Sequence, residues 1–256
     1  MIHRITGVVL AATAGLWLVS SSTSAALDVA CRQQTPEIFV LNGQTDRAMA
    51  DCVAERLQPT TREVILTSQG GSVGPALDIA ERFEGKGLTM RVREECNSSC
   101  ANYFLPLARR LIVERGAIIG LHGSIDPLLI AEARARGETV AAVNASRTAQ
   151  RQMAFARRND IHPGWLLYRL PGEARTRALD GAFEDETTDT RMFIVEEPMA
   201  RACLPGVEIV PYQADLRASV LRRDRMSRLQ RRGVARSAEA VCNGVSWDDF
   251  PPPEAG

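Results

Sequence analysis

Glu63-Val64-Ile65-Leu66-Thr67 is followed by Ser68-Gln69-Gly70-Gly71-Ser72 and then by the run from Val73 to Phe83. The first five residues are a short apolar stretch rich in branched side chains, which predicts a strand. The glycine pair punctuates the chain and predicts a turn. From Val73 onward, Leu77, Ile79, Ala80 and Phe83 recur at helical spacing, so the third piece reads as an amphipathic helix with those residues inward. Gly85 to Gly87 ends it, and Leu88 to Val92 predicts the next strand. Strand, turn, helix and strand in so few residues form the unit of α/β sheets with crossover connections.

The same alternation runs outward in both directions. Upstream, Glu37 to Leu41 predicts a strand, Asn42-Gly43 a turn, and Thr45 to Leu57 a helix through Met49, Val53 and Leu57. Downstream, Cys96 to Leu107 reads as a turn and then a helix. Leu111 to Val113 and Ala117 to Leu121 are two strands, the second ending at His122-Gly123. Ile130 to Arg158 predicts one long helix closed by Pro163-Gly164. Met192 to Glu196 and Val207 to Val210 predict two further strands, with a short helix from Pro198 to Cys203 between them. The fold class is α/β, in a single domain.

The ends of the chain read differently. Arg4 is followed by an apolar run from Ile5 to Val19, then by small polar residues and Ser24-Ala25-Ala26. A basic start, a short apolar stretch and small residues at a cut site predict a signal peptide over 1–26, cleaved after Ala26. Residues 27–212 form the predicted folded domain. Residues 213–245 hold an arginine-rich helical segment, read as a solvated helix or a contact to an anionic surface or another subunit. Residues 246–256, with Pro251-Pro252-Pro253, predict a disordered tail. No segment after the leader is long and apolar enough to cross a bilayer, so a periplasmic or secreted protein without a transmembrane segment is expected.

Charge excludes one class of partner. The chain carries 31 basic and 31 acidic residues, and loss of Arg4 leaves a slight acidic excess, so nucleic acid is not an expected partner. The six cysteines all follow the leader, and an even number in an exported chain favours disulfides. Several full pairings are open; the one expected is Cys31–Cys52, Cys96–Cys100 and Cys203–Cys242. With three histidines, no CxxC pair, no HExxH and no phosphate-binding loop, neither a metal nor a cofactor is expected.

Histidine narrows the chemistry. His3 is lost with the leader, leaving His162 at a helix end, where such a residue commonly caps carbonyls, and His122 directly after an apolar strand. Strand ends are where α/β folds present side chains to a crevice. Ser98 stands in Cys96-Asn97-Ser98-Ser99-Cys100-Ala101, at the start of a predicted helix whose positive end favours a developing anion. A Gly-Gly pair alone or a serine before a helix is a weak signal; Gly-Gly, then serine, then histidine, each at the end of its own strand, is a moderately specific one for a nucleophilic site.

At these residues the sequence resembles the proteolytic subunit of Clp protease, within the wider Clp/crotonase fold. Ser68-Gln69-Gly70-Gly71 matches that family's Ser-Pro-Gly-Gly turn except at Gln69, and Asn97-Ser98-Ser99-Cys100-Ala101 corresponds to its nucleophile turn. His122 follows Ser98 by 24 residues, as the family's base follows its serine at a strand end. The matched stretch runs from about Phe39 to Ser124. Cys96-Asn97-Ser98-Ser99-Cys100 is also similar to the Cys-x-Ser-x-Cys element of a group of exported Clp-like proteins.

The resemblance implies a spiral of repeated strand-strand-helix units. It implies Ser98 as nucleophile, in preference to Ser99, with His122 as general base and the Gly71 and Ser99 amides as oxyanion hole. It places an aspartate before a strand and short helix. Asp189 is the nearest match, two residues out of register, with Asp185 as runner-up and Trp165 to Gly181 read as an insertion. It implies a homo-oligomer, and, since an exported chain meets no ATP-driven unfoldase, peptides or already unfolded polypeptides as substrates. A Ser-Lys pair is disfavoured because Lys86 is the only lysine and lies in a glycine turn. Crotonase-type acyl-CoA chemistry is disfavoured by export, and a Cys100 thiol nucleophile by Cys96 nearby. The expected function is an exported serine peptidase; the alternative is a non-catalytic Clp-like binding or assembly module.

Overall fold

A computed structural model describes residues 30–137, 139–167, 183–185, 190–216, 218, 219, 242 and 246–250. The expected leader over 1–26, Asp189, residues 251–256 and nearly all of the arginine-rich segment lie outside the described residues.

Among the described residues, nine strands form one sheet. They are β1 (Cys31–Thr35), β2 (Ile38–Thr45), β3 (Glu63–Gly71), β4 (Thr89–Asn97), β5 (Arg110–Val113), β6 (Ile118–Leu121), β7 (Phe183–Asp185), β8 (Thr190–Ile194) and β9 (Glu208–Ile209). The order is β1-β2-β3-β4-β6-β8-β7, with β5 pairing β4 and β9. The helices among the described residues are α1 (Arg47–Arg56), α2 (Val73–Phe83), α3 (Ser99–Tyr103), α4 (Pro127–Ala135), α5 (Thr139–Arg158), α6 (Pro163–Leu167) and α7 (Glu197–Cys203). The mixed α/β class is the one expected.

β2, β3, β4 and β6 run parallel, so their carboxyl ends share one edge of the sheet. β3 buries Val64, Ile65 and Leu66 in succession, as a parallel strand covered on both faces must. α2 buries Ala76, Leu77, Ile79, Ala80 and Phe83 as its spacing predicted. β4 is shared: Thr89 to Val92 pairs with β5, and Glu95 to Asn97 pairs with β6.

Several elements depart from the sequence reading. Asn42-Gly43 is not a turn; β2 continues through it to Thr45, and the register with β3 shifts between Asn42 and Gln44. Gly43, with φ at +114°, absorbs that irregularity as an L-residue rarely would. β3 likewise runs on to Gly71, because β2 still offers a partner there, Thr45 opposite Gly71. The single long helix is two, α4 and α5, separated at Gly137 with φ +83°. Pro163 and Gly164 open α6 instead of closing α5; a proline in the first turn forfeits no helical hydrogen bond. His162 acts as an acceptor rather than a donor, its Nδ1 receiving the Gly164 N–H at 2.9 Å.

The expected insertion from Trp165 begins as core. Trp165 and Leu166 are fully buried, and the Trp165 indole donates to the Ala101 carbonyl at 3.0 Å. The expected tail is also ordered at its start. Trp247–Asp249 makes a 3-10 turn, Trp247 Nε1 donates to the Ile161 carbonyl at 2.8 Å, and Phe250 is buried. An aromatic pair can repay the entropy of ordering a terminus by burying its rings.

The three disulfides are Cys31–Cys52, Cys96–Cys100 and Cys203–Cys242, the pairing expected. Such bonds form and persist in an oxidising compartment. Among the described residues no helix is long and apolar enough to cross a membrane.

Candidate functional site

β3 ends at Gly71, β4 at Asn97 and β6 at Leu121, and these strands are neighbours in the order β3-β4-β6. Ser98 is the next residue after β4 and His122 the next after β6. The pairing of Asn97 with Gly120 sets the two ends level. Ser98 Oγ lies 2.5 Å from His122 Nε2, within hydrogen-bond reach. Adjacent parallel strands thus bring a hydroxyl and an imidazole together from positions 24 residues apart.

The Ser98 backbone is held in an unusual state, with φ +52° and ψ −127°. A serine stays in that region only where its surroundings over-determine it, and such residues cluster at functional sites. Here the constraints are visible. The Ser98 N–H donates to the Gly120 carbonyl at 2.9 Å, and its own carbonyl accepts from Asn102 N–H at 2.8 Å. The Cys96–Cys100 bond then closes a small ring around Asn97, Ser98 and Ser99, with both cysteines fully buried. α3, which follows, has only five residues. A helix that short carries little macrodipole, so what it offers is the Ser99 N–H, which as a first-turn amide has no intrahelical partner.

Gly70 and Gly71 meet this turn from the other side. A Cβ on Gly70 would stand 2.6 Å from the Ser98 Cβ, and one on Gly71 would stand 2.4 Å from the Thr45 carbonyl oxygen. Ser68 organises the pair: its Oγ accepts the Gly70 N–H at 3.1 Å and lies 3.3 Å from Thr45 Oγ1. Thr45 in turn accepts the Ser72 N–H at its carbonyl, at 2.9 Å. Thr45 is not singled out by the sequence, and Ser68 enters there only as the first residue of the matched Ser68-Gln69-Gly70-Gly71 turn, without a role of its own.

Behind His122 the chain is packed as closely. A Cβ on Gly123 would stand 2.5 Å from the Leu167 carbonyl oxygen, and Ser124 N–H donates to the Leu166 carbonyl at 2.8 Å. Ser124 Oγ, the Tyr103 hydroxyl and Gln152 Oε1 form a buried hydrogen-bonded triangle, and Gln152 Nε2 donates to the Ile125 carbonyl at 2.8 Å. Burial pushes the Tyr103 phenol far above its ordinary value, against a smaller opposing effect of the Ser124 hydrogen bond, so it stays a neutral strut.

Two clefts meet at the Ser98–His122 pair, and Gly71 lines both. One, of about 320 Å³, extends over Thr45, Gln69 and Met192. The other, of about 330 Å³, extends over Val73, Ser99, Asn102 and Ile125. Met192 and Asn102 are contributions that sequence reasoning missed. Neither follows from local spacing.

β8 is antiparallel to β6, with Leu121 opposite Phe193, so β8 begins beside the His122 end of β6. Asp185 ends β7 opposite Thr190. Asp189, the residue before β8, falls outside the described residues. Lys86 follows α2 and precedes β4, at the opposite edge of the sheet from Ser98. Cys100 is bound in its disulfide and is not a thiol here. Among the described residues no group of three His, Cys, Asp or Glu is placed to hold a metal ion.

No family model matches the chain, and no curated protein matches it. Among solved structures, the chain is similar to a ClpP1 variant from Listeria monocytogenes, at 14% identity and a TM-score of 0.40. That similarity covers 70% of this chain and 93% of the other. A likeness at that level assigns neither activity nor substrate.

Proposed function

We propose that this protein is an exported serine hydrolase acting on peptides, with Ser98 as nucleophile and His122 as general base. The observation that supports it most is the 2.5 Å Ser98 Oγ–His122 Nε2 contact on a serine held at φ +52°. Nε2 takes the hydroxyl proton as Oγ attacks a carbonyl carbon. The charge that develops on the carbonyl oxygen is received by the Gly71 and Ser99 amides, a donor type whose loss costs about 3–4 kcal/mol of barrier. The protonated imidazole then gives its proton to the leaving amine. Water, deprotonated by the same nitrogen, frees the acyl group.

For Nε2 to act as acceptor, Nδ1 must carry the other proton and needs an acceptor of its own. Asp189 is proposed for that role. The antiparallel run of β8 beside β6 supports it, since β8 begins at the His122 end of the sheet. Clefts on both sides of the pair suit a polypeptide passing through better than a small ester. The repeated strand-strand-helix spiral, homo-oligomeric assembly and a periplasmic or secreted location belong to the same proposal, the last supported by the three disulfides.

A fluorophosphonate probe applied to the folded protein tests it. Labelling that disappears in Ser98→Ala and persists in Ser99→Ala is the expected result. The labelled chain recovered from a cell envelope should have the mass of one beginning at Leu27. A folded wild-type protein that takes no label is a binding module, and the hydrolase proposal then fails.

A further inference from the structure

Among the described residues, Asp46 is the one Asp, Glu, Lys or Arg that lines the clefts meeting at Ser98 and His122. It belongs to the cleft of about 320 Å³, and it is exposed. It also caps α1, where its Oδ1 accepts the Met49 N–H at 2.9 Å. A carboxylate has lone pairs for several donors, and the cap uses one oxygen only. No cation among the described residues pairs with the other. Arg47, next in the chain, is turned instead to Asp78 at 2.6 Å.

The strand ends decide which way this side chain points. Thr45 Oγ1 meets Ser68 Oγ, and both residues are buried. The backbone is still extended at Asp46, with φ −122° and ψ −174°. Side chains alternate along an extended chain, so Gln44 and Asp46 face away from that buried contact, and so does Gln69 on β3. All three line the cleft that contains Ser98, with Gln44 exposed and Gln69 half-buried. Neither glutamine carboxamide has a hydrogen-bond partner among the described residues. β2 and β4 flank β3, so Asp46 and Ser98, each the first residue beyond its strand, stand two strand spacings apart, about 10 Å.

This lining selects by charge. A carboxylate on the ligand would be repelled by Asp46, and an apolar side chain would use none of the three acceptors. A guanidinium suits them best, because its planar fork can donate to Asp46 Oδ2 and still offer N–H groups to the Gln44 and Gln69 carboxamides. An ammonium carries the same charge with fewer donors. An arginine stem is long enough to bring its head to Asp46 from a residue held at Ser98.

We propose that this cleft seats a basic side chain, arginine in preference to lysine, from the residue next to the bond at Ser98. Asp46 is its specificity-determining residue. The placement beside the bond rests on the hydrolase proposal above; the preference for a cation rests on the cleft alone.

The test separates the two. Fluorescein-labelled peptides that differ only in arginine against citrulline, its neutral isostere, are titrated into the intact Ser98→Ala protein and read by fluorescence anisotropy. The arginine peptide should bind about fivefold more tightly. Asp46→Asn removes the charge and keeps a side chain that caps α1, so it should bring the two peptides within about twofold of each other. Glu55→Gln makes the same change of charge at the exposed far end of α1 and should leave the preference intact. Equal affinities, no binding of either peptide, a preference that survives Asp46→Asn, or one that Glu55→Gln also erases overturns the proposal. If the unsubstituted protein takes no fluorophosphonate while the Asp46-dependent preference stands, the hydrolase proposal falls and recognition of the cation survives.

Discussion

A methyl group on residue 70 would stand 2.5 Å from the Asn97 carbonyl oxygen, 2.6 Å from the Ser98 Cβ and 3.0 Å from the Ser99 nitrogen, on a backbone with φ +90°. Nothing there is a flexible side-chain end that can move aside. Gly70→Ala should therefore cost at least about 2 kcal/mol in urea unfolding and suppress fluorophosphonate labelling, because the turn that presents Ser98 must shift. Gly206, exposed, outside the left-handed region and with open space around it, is the control: Gly206→Ala should change stability by less than about 0.5 kcal/mol and leave labelling intact. Ser98 carries the complementary case. Its φ of +52° suits glycine, so Ser98→Gly should raise stability by about 1 kcal/mol while abolishing labelling, measured by the same two assays. A Ser98→Gly protein less stable than the parent would mean that the backbone there is not strained.

At the scale of elements, the disulfides divide their work by position. Cys96–Cys100 joins the end of β4 to α3 across four residues, and Cys203–Cys242 ties α7 to a position 39 residues on. Chain-entropy reasoning assigns about 2 kcal/mol to the short loop and about 4 kcal/mol to the long one. The short bond nevertheless brackets Ser98. Replacing Cys96 and Cys100 by alanine should cost the smaller amount of stability yet slow labelling most. Replacing Cys203 and Cys242 should cost more stability and slow labelling less. Denaturant midpoints beside labelling rates check both. Equal losses of labelling would show that the Cys96–Cys100 ring does not position the serine.

For the whole molecule, acid should be destabilising in two steps. Burial holds the His162 imidazole below its ordinary value of 6.5, with the Asp160 charge working against it, and protonation would also break the bond from Gly164 N–H to Nδ1. Burial pushes the Asp78 carboxyl up, but hydrogen bonds and charge from Arg151 and Arg47 outweigh it and hold it below its ordinary value. Glu197 is lowered likewise, by Tyr212 N–H and Arg201 against burial. In each case the folded pKa lies below the unfolded one, so proton uptake favours the unfolded chain. The stabilisation is complete above the ordinary values and fades as pH falls through the folded ones. Urea midpoints should decline below about pH 6.5 for His162 and again below about pH 4.5 for the carboxylates. A midpoint that rises on acidification would contradict the assignment.

Local order decided what the sequence could settle. The α/β class, the apolar strands β3 and β6, the inward face of α2 and the positions of Ser98 and His122 beyond strand ends all follow from periodicity and glycine punctuation within short windows. The disulfide pairing matched as well. What periodicity cannot encode is which strands become neighbours. The Ser98–His122 contact, the bulge at Gly43, and the burial of Trp165 and Phe250 each depend on residues far apart in the chain. Those come from the sheet order β3-β4-β6 and from side chains packing across it, because a polar atom is satisfied or left vacant only by whatever the finished fold places beside it.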